Sequence, residues 1–259
     1  MSSKIILNNQ FPTTESEVES IIKNFASIDD YIAKGTRNSI KKVTLKCGKT
    51  ATIKSFKIPN VINKLVYRFF RKSKAERSFE YANRLVDLGF KTPFPIAYIE
   101  NKTAFTFLDS YYLCELVDAD LTYRELVEIP DYPNKNEILK QFTQFTYKLH
   151  EAGIEFLDHS PGNTLIKKIN ENEYEFYLVD LNRMNFHDNM DFDLRMKNFS
   201  RLTPQKGMVE IMAKEYANLI NQPAQKVIDT MWDKTEEFQE KFHAKQRRKK
   251  KLKALIGKK

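Results

Sequence analysis

The sequence predicts an α+β protein in two parts: a strand-rich N-terminal part holding one internal helix, then a helix-rich part holding one hairpin. Three observations carry this expectation. From Tyr31 to about Asp118 the pattern is of short strands interrupted by one helical stretch, and beyond it the period is mostly helical. The 259 residues are enough for one large domain or two small lobes. A content of 41% hydrophobic and 12% aromatic residues, with only 7 Gly and 9 Pro, supplies a packed interior and excludes a disordered or fibrous chain.

Taken in order, Thr14 and Glu17 have the spacing of a capping box, and Val18, Ile21, Ile22 and Phe25 then mark one apolar face of a first helix. VTLKC and ATIKSFK, joined at Gly48-Lys49, predict a hairpin. Ser73 and Glu76 form a second capping signature, opening a helix through Ala75, Phe79, Ala82 and Leu85 that Gly89 terminates. PIAYIE, AFTFL and YYLCELV follow as antiparallel strands, with a turn expected at Asp109-Ser110. Ile138, Leu139, Phe142, Phe145 and Leu149 line a helix ending near Gly153. The irregular segment FLDHSPGN leads into strands TLIKKI and YEFYLVDL, separated by NENE, and helices are expected over 207–221 and 223–243. The expected organisation is an N-terminal helix and strand-rich lobe over 1–117, a helical lobe over 118–243 and a basic tail over 244–259.

The formal net charge of +9 resides in that tail, because residues 245–259 hold nine basic side chains and no acid. Such a run suits an anionic bilayer, nucleic acid or plain solvation. Cys47 and Cys114 are too few and too distant for a disulfide framework or a four-cysteine zinc site, so a reducing compartment is expected. With no apolar stretch of 18 residues and no signal-peptide pattern, the expected location is cytoplasmic.

The segment LHEAGIEFLDHSPGNTLI places Asp158 and Asn163 five positions apart. Phosphoryl transfer uses such a pair: a carboxylate that orients the attacking hydroxyl, and an amide oxygen that reaches Mg²⁺ on the nucleotide phosphates. Asp180 closes the strand YLVD and is the candidate second metal ligand. Lys54, in ATIKSFK, is the candidate phosphate-gripping lysine, preferred over Lys57, and Glu80 is its expected anionic partner.

These residues resemble the protein-kinase-like fold, and within it the bacterial lipopolysaccharide kinases that phosphorylate Kdo or heptose of the inner core. The resemblance spans about residues 30–200, most strongly KSFK, SKAERSFEYANRLVDLGFKTPFPIAYIE, LHEAGIEFLDHSPGN and YLVDLNR, with His150 eight positions before Asp158. It implies a bilobal fold, an antiparallel-sheet N-lobe with one helix and a helical C-lobe, that uses ATP and Mg²⁺. Asp158 then resembles the catalytic aspartate and Asn163 and Asp180 the metal ligands. Lys54, Glu80, Glu115, Gly35 and Asn38 resemble the nucleotide-binding set. The implied partners are a lipid-linked sugar acceptor and, through the tail, an anionic membrane surface, with the enzyme peripheral at the inner membrane and no nucleic acid involved.

Departures from the pattern matter too. Phe156-Leu157 replaces the His-Arg before the catalytic aspartate, and Leu181-Asn182 replaces Phe-Gly after the metal aspartate, where Asn182 is expected to take the positive φ. No Ala-Pro-Glu follows, so a peptide substrate is disfavoured, and no GxGxxG precedes, only Gly35-Thr36-Arg37-Asn38, so the phosphate-covering turn is expected to be shorter. His150 is expected to be structural and His159 to point away from the chemistry. The basic run Lys54, Lys57, Lys64, Arg68, Arg71, Lys72, Lys74 and Arg77, and the later Arg183, Arg195 and Arg201, are candidate anion grips. Competing functions are phosphorylation of a small soluble metabolite or aminoglycoside, and a non-enzymatic module that binds membrane or nucleic acid through the tail.

Overall fold

A computed structural model describes residues 2–34, 38–56, 58, 64, 66–68 and 70–256. The chain divides into two compact units, Met1–Asp118 with Tyr177–Arg183, and Ala119–Phe176 with Met184–Lys259.

The first unit is built on a six-stranded antiparallel sheet. Its strands are β1 (Ser2–Leu7), β2 (Tyr31–Lys34), β3 (Asn38–Thr44), β4 (Thr50–Phe56), β5 (Pro95–Lys102) and β6 (Phe107–Glu115), in the order β1-β5-β6-β4-β3-β2. Side chains alternate across a pleated sheet, so each row of the register faces one side. Ile53, Leu113 and Ala97 form one row and join the core that Val18 of α1 (Glu15–Lys23) and Phe11 complete. The next row, Lys54, Tyr112 and Tyr98, faces the opposite side, where Phe79 of α2 (Lys74–Asp87) packs against Tyr98 at a ring separation of 5.3 Å. The polar Lys54 thus stands on the helix-covered face. Both capping residues act as expected, Thr14 accepting from the Glu17 amide and Ser73 from the Glu76 amide.

Two strand assignments change. AFTFL and YYLCELV belong largely to one strand, β6, and the chain reverses at Thr103–Thr106, where the Thr103 amide donates to Thr106 O at 2.8 Å. Ser110 is buried in the sheet opposite Glu100, and Asp109 accepts from Asn101 Nδ2. The edge strand β1 was not foreseen; its short apolar run is stabilised by antiparallel pairing with β5.

The second unit contains β7 (Leu121–Thr122), α3 (Tyr123–Glu128), α4 (Lys135–Glu151), β8 (Ile154–Phe156), β9 (Thr164–Asn170), β11 (Met184–Phe186), α5 (Phe192–Phe199), α6 (Lys206–Leu219) and α7 (Ala224–Ile256), together with most of β10 (Glu173–Leu178). A three-stranded sheet runs β10-β9-β7, and β8 pairs antiparallel with β11. The hairpin of β9 and β10 is one-sided rather than enclosed: Tyr174, Phe176 and Leu178 are buried, whereas residues 167–170 are exposed. Tyr123, Phe142, Met196, Phe199, Met212, Tyr216 and Met231 fill the core. The tail is not a frayed end, because α7 continues to Ile256; residues 245–254 are exposed throughout.

Candidate functional site

In the first unit the chemistry gathers at Asp180. Lys54 Nζ donates to Asp180 Oδ1 at 2.6 Å, and the Asn182 amide Nδ2 donates to the same oxygen at 2.6 Å. Both bonds fall on Oδ1, and Oδ2 takes neither of them. Asp180 itself holds the positive φ, +59°, and Asn182 does not. The left-handed position of this turn is therefore two residues earlier than expected; aspartate is among the few non-glycine residues that tolerate it. The segment is pinned on both sides, since Thr92 Oγ1 donates to Leu178 O at 2.8 Å and Arg77 Nη1 donates to Asn182 O at 2.7 Å. Arg77 is half-buried, and its pKa is lowered first by burial and then by the neighbouring Arg71 cation. Membership of the basic run does not single out Arg77; its bond to Asn182 O from α2 does.

In the second unit Asp158 follows β8. Three successive carbonyls there each accept a side-chain N–H: Phe156 O from Asn198 Nδ2 at 2.9 Å, Leu157 O from Arg201 Nη1 at 2.8 Å, and Asp158 O from Asn163 Nδ2 at 2.8 Å. Because its amide nitrogen is engaged, Asn163 presents Oδ1 as its remaining acceptor. Arg201 Nη2 also lies 2.7 Å from Asp158 Oδ1. His150 is structural, as expected. It is buried, its Nε2–H donates to Asn198 Oδ1 at 3.2 Å, and its Nδ1 accepts from the Tyr216 hydroxyl at 2.9 Å. Burial pushes its pKa down to about 3, which keeps the ring neutral, and pushes Tyr216 up to about 12. His159 turns into the core against Phe142 and Phe156, with no hydrogen-bond partner on either ring nitrogen, and burial lowers its pKa to about 4.

Other expected residues are placed differently. Glu80 pairs with Lys72, not Lys54. Since Phe79 takes the buried position on α2, the next residue is rotated by about 100° and stays partly exposed, beside the lysine that precedes the helix cap. The Glu115 carboxylate pairs with Lys49 at 2.6 Å, and its amide donates to Phe94 O at 2.9 Å. Asn38 opens β3 opposite Phe56. Gly35 and Lys57 lie outside the described residues. Arg195 pairs with Glu151 and Arg201 with Asp158, so both have internal partners in place of a substrate anion; Arg183 is exposed.

Asp180 in the first unit offers a carboxylate oxygen and Asn163 in the second an amide oxygen, each by itself a hard ligand of the kind Mg²⁺ takes. Among the described residues no group of three or more His, Cys, Asp or Glu forms a self-sufficient metal cage. No helix among them is long and apolar enough to cross a membrane.

An antiparallel sheet with a packed helix, carrying a lysine-aspartate pair, and a helical unit carrying an Asp-x₄-Asn loop together define a protein-kinase-like fold. The family model for the lipopolysaccharide kinase (Kdo/WaaP) family matches residues 48–222, and the chain belongs to that family. Membership in a kinase family implies phosphoryl transfer from ATP. Among solved structures, WaaP in complex with acyl carrier protein is similar over 90% of this chain and 98% of that one, with 13% identity and a TM-score of 0.60. The Rio2 kinase from Chaetomium thermophilum, alone and as its ADP/Mg²⁺-phosphoaspartate complex, matches with a TM-score of 0.44 and 18% and 17% identity. These alignments cover 91% and 87% of this chain and 83% and 75% of the Rio2 chains. Comparison with curated protein sequences finds no match.

Proposed function

We propose that this protein transfers the γ-phosphoryl group of ATP to a hydroxyl of Kdo or heptose in the lipopolysaccharide inner core, at the cytoplasmic face of the membrane. The observation that carries the proposal is the Asp158–Asn163 loop, entered through three successive carbonyls, of Phe156, Leu157 and Asp158, each held by a side-chain N–H. In this reading Asp158 accepts the hydrogen bond of the sugar hydroxyl and takes its proton as the new P–O bond forms and the bond to ADP breaks. Asn163 and Asp180 hold the metal, which supplies neutralisation of phosphate charge when bound. Lys54, oriented by Asp180, grips the α and β phosphates. Family membership supports a sugar acceptor, and the basic run of α7 supports a membrane-borne one.

The test is incubation with labelled ATP, Mg²⁺ and Kdo-bearing lipid A. Label in the lipid that disappears with Asp158→Ala is the expected result. Label appearing only in a small soluble alcohol or aminoglycoside refutes the acceptor assignment; turnover that survives Asp158→Ala refutes the catalytic one.

A further inference from the structure

Arg201 has no place in the proposed chemistry, yet its contacts converge on the loop that performs it. Its fork donates through Nη1 to Leu157 O at 2.8 Å and meets Asp158 Oδ1 through Nη2 at 2.7 Å. One rigid guanidinium thus holds the backbone before the aspartate and one oxygen of its carboxylate. The cation lies 5.5 Å from the centre of the Phe238 ring on α7, and its Nε is buried without a partner. A buried N–H left unpaired carries a desolvation cost, which the rest of the side chain's contacts must offset.

We infer that Arg201 is a positioning residue: it fixes the rotamer of Asp158, so that Oδ1 is occupied and Oδ2 is the oxygen presented to the acceptor hydroxyl. The inference rests on Asp158 acting as proposed above. A planar fork can hold two acceptors at defined angles, which the single ammonium of lysine cannot reproduce. The Phe238 ring, with the guanidinium carbon 5.5 Å from its centre, adds a cation–π attraction that helps keep the fork in place. The long C-terminal helix therefore contributes to the reaction through one ring, separately from the basic residues at its end.

The experiment compares wild type, Asp158→Ala, Arg201→Ala and Arg201→Lys for labelled phosphate transfer from Mg-ATP to Kdo-bearing lipid A, with melting curves run in parallel. Arg201→Ala is expected to lower kcat roughly a hundredfold, the scale of a misplaced catalytic group, with KM for ATP within about twofold of wild type. Millimolar guanidinium should restore part of that loss in Arg201→Ala and none in Asp158→Ala. Arg201→Lys keeps the charge and most of the volume, so it covers the case in which the alanine variant does not fold; its kcat should fall at least about tenfold. Wild-type kcat in Arg201→Lys, or an Arg201→Ala loss confined to KM for ATP and insensitive to guanidinium, overturns the inference while leaving Asp158 catalytic. Full turnover in Asp158→Ala overturns the underlying reading instead.

Discussion

Gly153 sits at φ +70° between α4 and β8, three residues before the first pinned carbonyl of the Asp158 loop, and replacing it with alanine tests how rigidly that loop is founded. A Cβ built there falls 1.9 Å from His187 O and 3.0 Å from His187 C, both backbone atoms that no rotamer change can move. Relief requires the two chains to part by roughly 1.5 Å to reach ordinary contact. Parting them removes the bond from His187 N–H to Gly153 O, now 2.8 Å, which is worth about 1 kcal/mol. Left-handed backbone adds about 1–2 kcal/mol for any L-residue with a Cβ, and forced displacement of packed chains adds about 1–3 kcal/mol. The expected total is about 3–6 kcal/mol, a large share of the ~5–15 kcal/mol typical of a folded domain. Gly89→Ala supplies the control, because Gly89 has φ +80° but open space around it, leaving only the backbone cost of about 1–2 kcal/mol. Urea unfolding followed by far-UV circular dichroism measures both. A Gly153→Ala loss within about 1 kcal/mol of the Gly89→Ala loss would refute the argument from the His187 carbonyl.

Three further outcomes follow from the same structure. His150 and His159 have folded pKa values lowered by burial to about 3 and about 4, whereas the unfolded chain titrates near 6.5, so the unfolded state binds protons first as pH falls. Stability should be full above about pH 6.5 and drop by roughly 1.4 kcal/mol per pH unit for each ring, flattening near pH 4 for His159 and near pH 3 for His150; equal urea midpoints at pH 7.5 and 5 would contradict this. Lys54→Met and Asp180→Asn should each cost about 10²–10³ in kcat in the labelled-ATP assay, and wild-type rates in either would remove the pair from the chemistry. Deleting residues 245–259 should abolish salt-sensitive sedimentation with anionic vesicles, since each Lys or Arg near such a surface contributes about 1 kcal/mol; unchanged sedimentation would assign the helix end to solvent.

What was readable in the sequence was local. Ser73 and Thr14 announce their helices because a cap needs only a backbone amide three residues on, and both bonds form. Their glutamates were not readable: besides the nearby Thr13, Glu17 takes the Lys46 amide, and Glu76 turns to Lys4 and Tyr98, partners brought in by tertiary packing. The Asp109-Ser110 turn failed for the same reason, since a strand can absorb turn-forming residues when a neighbour such as Asn101 satisfies them. Asp158 and Asn163 share one loop, so their spacing carried the site. The ion pair of Lys54 joins positions 126 apart in the chain, and the rotation of Glu80 about α2 depends on which neighbour the sheet buries.

The holding of the Asp158 loop explains why so few of its own residues had to match the kinase pattern. Phe156-Leu157 contributes apolar side chains where the pattern has His-Arg, but what the loop needs from those positions is two carbonyls with donors fixed upon them. Asn198 supplies the first, itself oriented by His150, whose ring is oriented in turn by Tyr216 on α6. Arg201 supplies the second from the segment just after α5. Both donors come from residues more than 40 positions along the chain, so the carbonyls at 156 and 157 are positioned from outside the loop and the side chains there are free to be hydrophobic. Replacing Asn198 with leucine should therefore impair turnover without touching any group that meets substrate, and wild-type kcat in Asn198→Leu would show that the carbonyls hold themselves.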